Sequence, residues 1–404
     1  MTLAYSKLNH ALRVPLAAEI HSRPFLKLEA PETITHLAVY RDSAAGPPNA
    51  NALNQHVTLA ALCAHFGVAA PVAGANYFFH DFGRFRLKWE CHTEFATYTF
   101  AEPARETVAL ADAFARTPLV HLPQQWLASL EGRLMVAAHV VLARGECAAD
   151  EVQRAFNGNM LVGAGVMQGA QLWTDFAIQS DGFSRFVICD VGMRAQQAGR
   201  LVQRVLEIET YRMMALLGLP SAQQAATVLN AIEAELAALA NAMVATDAAP
   251  AVGQEGAGDQ ALLDQITRLA ARLEKLSLDN SYRFSASKAY FGLVRARIEE
   301  LREVRIEGSP TVEEFMERRL TPAMNTCDAM AARQDALGRR IANSNDLLRT
   351  RVGIVQEMQN RQILQSMNAR AAQQLRLQQA VEGLSVAAIS YYVIGLISYL
   401  GKGA

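Results

Sequence analysis

LSVAAISYYVIGLISYL, residues 384–400, contains no charged side chain. A helix that crosses a bilayer needs roughly 17–25 mostly apolar residues, and this run meets the lower bound. Leu384, Ile389, Ile394 and Leu400 supply apolar surface. Tyr391 and Tyr392, with Ser385, Ser390 and Ser398, make it less oily than most spans. A buried core helix would look similar, but the run ends four residues from the end of the sequence, where no later element can cover it. Upstream stand Arg349, Arg351, Arg361, Arg370 and Arg376; downstream there is only Lys402. Positive charge gathers on the cytoplasmic flank of a span. The expectation is a transmembrane anchor over 380–401, seated in the lipid of the inner (cytoplasmic) membrane, with the bulk of the chain in the cytoplasm.

Upstream of the anchor the pattern is helical. No proline follows Pro322, and Leu337, Ile341, Leu348, Val352, Val355, Ile363, Met367, Leu377 and Val381 recur at sums of three and four. Some 75 helical residues at ~1.5 Å each would span on the order of 110 Å, wider than one globular core. Either the run is two helices broken near Asn343, Ser344 and Asn345, or it is a coiled-coil stalk packing against copies of itself. Its apolar stripe from Leu337 to Val355 needs a cover, from residues 259–307 folding back or from other subunits. A homo-oligomer is expected. Gly308, Ser309 and Pro310 break the pattern, and Pro310 with Glu313 and Glu314 opens the next helix. Residues 259–307, 221–244 and 194–217 also read as helices, the last with Leu201, Val205, Ile208, Tyr211 and Leu216 in register. TDAAPAVGQEGAG, 246–258, reads as a linker.

Nearer the N-terminus the grain changes. Residues 34–40, 76–82, 85–100, 134–142 and 176–191 are rich in β-branched and aromatic residues bounded by Gly, Pro or Asp, and read as strands. Residues 51–66 and 148–156 read as helices between them. The fold class is α+β: a mixed α/β sheet domain over 1–192, a long-helix stalk over 193–379, then the anchor. Many strands in close succession predict an antiparallel or mixed sheet with flanking helices.

The chain has 404 residues, with 38 basic and 39 acidic side chains for a net charge of −1. That balance argues against a nucleic-acid partner, whose phosphates call for a basic excess. With 51% hydrophobic and 19% charged residues and a mean hydropathy of +0.06, the chain is too apolar for disorder and too polar for a multi-span transporter. Cys63, Cys91, Cys147, Cys189 and Cys327 are scattered, with no CxxC pair. This argues against a disulfide scaffold or a cysteine zinc site and for a reducing compartment. No apolar segment of signal-peptide length follows the start, so the N-terminus is expected to stay in the cytoplasm.

Motifs for chemistry are sparse. SASK, 285–288, matches the SxxK of penicillin-recognising enzymes, but no KTG follows and so short a pattern arises by chance in helices. Gly163, Gly165 and Gly169 are spaced wrongly for a dinucleotide fingerprint and read as hairpin or bulge glycines. Residues 84–95 alternate strictly. Phe85, Leu87 and Trp89 point one way, and Arg84, Arg86, Lys88, Glu90, His92 and Glu94 the other. That row has three readings: a solvated sheet face with cross-strand charge pairs, an anion or divalent-cation site with His92 and Glu94 as cation ligands, or an ion-pair network in which Arg23 helps lock the N-terminal arm to the sheet. No catalytic residue is assigned, and no cofactor is identified beyond that candidate divalent cation.

HSRPF (21–25), KWECHTEF (88–95), GRLVQRVLEIETYR (199–212), SASKAY (285–290), RRLTPAMNTC (318–327) and VEGLSVAA (381–388) with Tyr391 and Tyr392 together resemble an uncharacterised bacterial family of predicted membrane-anchored proteins. The resemblance runs nearly end to end. Cys91 stands where that family usually has arginine, which weakens the anion reading. The resemblance also implies a second apolar segment, which does not follow before Ala404. More remotely, the order of parts is similar to magnesium channels of the CorA type, although their Gly-Met-Asn loop is absent here. The function expected is therefore a membrane-anchored, non-enzymatic oligomer. The alternatives are a CorA-like divalent-cation channel, or a transport-inactive relative of one, and an enzyme built around His92 and Glu94.

Overall fold

The computed structural model describes residues 9–14, 16–17, 24–41, 50–104, 109–156, 160–248 and 255–401. Arg23, Lys402 and residues 249–254 of the expected linker lie outside these. The chain divides into two compact units, Met1–Gln224 with Asn280–Ala331 and Ala225–Asp279 with Ala332–Ala404.

The first unit is built on a mixed sheet: β1 (Glu32–Tyr40), β2 (Tyr77–Asp81), β3 (Arg86–Cys91), β4 (Phe95–Pro103), β5 (Arg133–Arg144), β6 (Val162–Val166), β7 (Ala170–Ile178), β8 (Ser184–Asp190) and β9 (Val304–Arg305). Their spatial order is β2-β3-β4-β1-β5-β8-β7-β6-β9. The β5–β8 pair is parallel, and every other described pair is antiparallel. Around it lie α1 (Ala50–His65), α2 (Gln124–Ala128), α3 (Ala149–Ala155), α4 (Ala195–Leu216), the beginning of α5 (Gly218–Ala248), the latter part of α6 (Glu255–Leu301), α7 (Val312–Arg319) and the first turns of α8 (Thr321–Leu400). The sheet's unit thus reaches well past residue 192.

Alternation sorts the strand residues into two cores. On one face of the strands around β3, Leu37, Leu87, Trp89, Tyr98 and Phe100 meet Leu59, Leu62 and Cys63 of α1 and Trp126 of α2. On the other face Ile34, Ala38, Val140, Phe186 and Ile188 meet Leu201, Val205 and Ile208 of α4 and Val294 and Ile298 of α6. Each fully buried large side chain contributes roughly 1.5–3 kcal/mol over exposure. Leu28, in the arm preceding β1, donates its N–H to the Ala195 carbonyl at the start of α4. Gly199 permits that crossing: a Cβ there would lie 1.6 Å from the Leu26 carbonyl oxygen.

Several expectations change. The strand expected over 85–100 is two, β3 and β4, because the chain reverses at His92–Glu94, where His92 N–H donates to the Phe95 carbonyl. Alternation continues through that turn, so periodicity hides it. The strand expected over 176–191 is likewise the end of β7 and all of β8, joined by a turn with Gly182 at φ 86°. Gly163 and Gly165 lie within β6, and Gly169 is the last residue of the turn that leads to β7. The helix expected to run to 307 stops at Leu301, and Val304–Arg305 pairs with β6 instead. No break occurs at 343–345, since α8 is continuous. α7 opens on Thr311, whose hydroxyl accepts from Glu314 N–H while the Glu314 carboxylate accepts from Thr311 N–H, so two free N–H groups are satisfied. Cys147 and Cys189 form a disulfide across 42 residues. The pair is made by the parallel β5–β8 pairing, which sets Ala143 opposite Cys189, so the cysteine spacing gives no sign of it.

In the second unit Leu229, Ile232 and Leu236 of α5, Ile266, Leu269 and Leu273 of α6, and Leu337, Ile341 and Leu348 of α8 are buried. The stripe from Leu337 to Leu348 is therefore covered by the protein's own helices. Arg333 binds Glu233, and Arg272 binds Glu235 at 2.8 Å. From Gln356 to Ser398 every residue of α8 is exposed. Two helical stretches, Ala195–Ala245 and Val312–Ser398, are long and apolar enough to cross a membrane, and the most apolar window of the second is 0% buried.

Candidate functional site

The polar row around β3 lies beneath α4 and α6. Arg86 is half-buried, binding Glu32 and donating to the Lys27 carbonyl at 2.5 Å. Lys88 is buried, its Nζ donating to Glu90 at 3.0 Å and to Gln203 of α4 at 3.1 Å. His92 stacks on Phe95 with ring centres 4.4 Å apart. Glu94, in the turn, is buried; Arg283 pairs with it and the Tyr290 hydroxyl donates to it at 2.9 Å. Burial and that carboxylate push the Tyr290 hydroxyl pKa upward. Arg84 alone of the row stays at an exposed turn. The row is thus no solvated sheet face. Glu94 has left the strand, and its carboxylate is engaged by a guanidinium and a phenol.

Helix α4 supplies the opposite wall. Its Gln203 donates to Glu207 at 2.7 Å, and Glu207 accepts from Arg297 of α6, which also donates to Glu300 at 2.9 Å. His36 on β1 lies between Thr99 (Nδ1, 2.8 Å) and Thr210 (Nε2, 3.1 Å). Burial, with Lys88 and His92 nearby, pushes its pKa down to about 3. The ring is therefore neutral at physiological pH, one nitrogen donating and the other accepting.

These groups line an open cavity of about 240 Å³. Lys88, Glu90, Glu207 and Arg297 give it two cations and two carboxylates, while Leu26, Leu28, Val202, Leu206 and Phe95 form an apolar wall. Thr97 also lines it, is 4% exposed, and its hydroxyl has no hydrogen-bond partner among the described residues. Among the described residues no three His, Cys, Asp or Glu side chains converge as a metal site. In the SASK match Ser285 and Lys288 are both exposed on α6, and Lys288 faces Asp328 at 3.8 Å.

Sequence reasoning found the β3 row but missed Glu32, His36, Thr97, Gln203, Glu207, Thr210, Arg283 and Arg297. Four-residue spacing of Gln203 and Glu207, off the apolar stripe of α4, was the available signal.

An α+β chain with a polar cavity between its sheet and α4 is as far as fold and site define the class. Its family is more definite: residues 8–404 match DUF3422, described as a protein of unknown function, and the chain belongs to that family. No curated protein and no solved structure matches it, and the similarity to CorA-type channels expected from the order of parts finds no support.

Proposed function

We propose that this protein is a membrane-anchored, non-enzymatic oligomer whose α+β unit sits in the cytoplasm. The observation that carries this reading is the last part of α8, exposed from Gln356 to Ser398 and ending in the charge-free run 384–400. Burying that run in hydrocarbon removes an apolar surface that would otherwise face water, and a helix satisfies its own backbone groups there. The Ser385 hydroxyl already donates back to the Val381 carbonyl at 2.9 Å. Between Gln356 and the span, Met358, Ile363, Leu364, Met367 and Leu375 are more than half exposed, and copies of the same helix would cover them. The arginines at 349, 351, 361, 370 and 376 favour the cytoplasmic side, whereas the Cys147–Cys189 disulfide is of the kind that persists in oxidising compartments.

Fractionation tests the reading. The full chain should stay with membranes through a high-salt wash, and the chain truncated after Gln379 should be soluble without detergent. Membrane retention by the truncated chain would move the anchor elsewhere. Alkylation of Cys147 and Cys189 in intact cells reports the side: free thiols support the cytoplasm, and an intact disulfide would place the unit across the membrane.

A further inference from the structure

We infer that the cavity between β3, β4 and α4 is a binding site for a small zwitterion of amino-acid size, a proposal independent of the anchor. Three observations carry it. The first is size: about 240 Å³, at ~30 Å³ per water, holds about eight non-hydrogen atoms. The second is charge. Lys88 is paired with Glu90 at 3.0 Å and Arg297 with Glu207, so the site is neutral overall and presents two ion pairs, each with a positive and a negative end, beside an apolar wall. A lone anion would meet two carboxylates and a lone cation two basic groups, whereas a molecule carrying both charges satisfies each pole. The third is the Thr97 hydroxyl, buried at 4% exposure, lining the cavity and lacking a partner. Such a group costs stability unless something binds it.

The chemistry follows from what remains unused. Lys88 donates two hydrogen bonds, to Glu90 and Gln203, and an ammonium has three protons to give. Its third N–H and the Thr97 O–H would hold the ligand carboxylate. Glu90 and Glu207 would take its ammonium, and Leu26, Leu28 and Val202 its carbon skeleton. The register supports this grouping, since Glu90 lies opposite Thr97 and Lys88 opposite Thr99 on the paired strands. His36, held neutral between two threonines, adds no charge to the floor.

Titration calorimetry on the full-length chain in detergent tests this, with L-proline, L-valine, L-leucine and glycine betaine as zwitterions. Acetate, inorganic phosphate and propylamine, each bearing one kind of charge, are the controls. At least one zwitterion should bind at one site per chain while the controls give no heat at equal concentration. Thr97→Val, which keeps the shape and deletes the hydroxyl, should weaken that binding by about three- to tenfold and leave the unliganded Tm unchanged or raised. Lys88→Met should abolish binding. Silence with all four zwitterions would mean that water fills the cavity and would overturn the proposal. So would equal binding of acetate or phosphate, or a Thr97→Val protein with unchanged affinity and a lowered Tm.

Discussion

Lys88 on β3 is 4% exposed and Glu94 in the following turn 1%, whereas Leu384 and Ile394 of α8 are 71% and 67% exposed. The charged segment is inside and the apolar one outside. The difference shows that burial follows the supply of partners rather than hydropathy alone. Glu94 is affordable in the interior because Arg283 and Tyr290 reach it from α6, and Lys88 because Glu90 and Gln203 take its protons. The apolar end of α8 stays bare because no described element of its own unit packs against it.

The strongest way to break this contrast is to charge the bare segment. Ile389→Arg with Ile394→Arg should strip the protein from membranes, since each arginine near the centre of a span costs about 2.5–3.5 kcal/mol on insertion scales. Undiminished membrane retention would show that the segment does not cross hydrocarbon. Next is the buried pair. Glu94→Ala leaves the Arg283 guanidinium buried beside no carboxylate and should destabilise the first unit by about 3–5 kcal/mol, with Arg283→Met recovering part of the loss in the double variant. Chemical denaturation followed by tryptophan fluorescence reads this unit alone, because Trp89, Trp126 and Trp173 all lie within it. A change under about 0.5 kcal/mol would mean that the pair is solvated.

Near neutral pH the smallest effect expected is the pH dependence. His36 is pushed down to about 3 and His139 to about 4, chiefly by burial, from about 6.5 in the unfolded chain. Below about 6.5 the unfolded state takes up protons that the folded state refuses. Stability is therefore full above that pH and is lost on acidification toward 3, with a slope of about 1.4 kcal/mol per pH unit for each histidine. His36→Gln should flatten the slope of unfolding free energy between pH 4 and 6; an unaltered slope would show that His36 titrates normally in the folded protein.

The sheet-and-helix architecture was largely legible because apolar periodicity records local structure. The strand expected over 34–40 and the helix expected over 194–217 match β1 (Glu32–Tyr40) and α4 (Ala195–Leu216) to within two residues at each end. The reversal at His92–Glu94 was not legible, since a tight turn can preserve alternation. The cavity was least legible of all. His36 meets Thr210 across 174 positions of sequence and Arg283 meets Glu94 across 189, so each partner looks like an ordinary helix surface residue until the sheet and α4 are superimposed. Thr97 and Thr99 likewise read as plain strand threonines.

Gly199 carries a lesson for judging distant chains. Because the Leu26 carbonyl oxygen occupies the space of a Cβ at this position, one letter of sequence records whether the arm can cross α4. A remote chain with a bulky residue there must route its N-terminal arm elsewhere, and would leave one wall of the cavity open. A glycine at the corresponding place, even where the surrounding similarity has faded, keeps that route available.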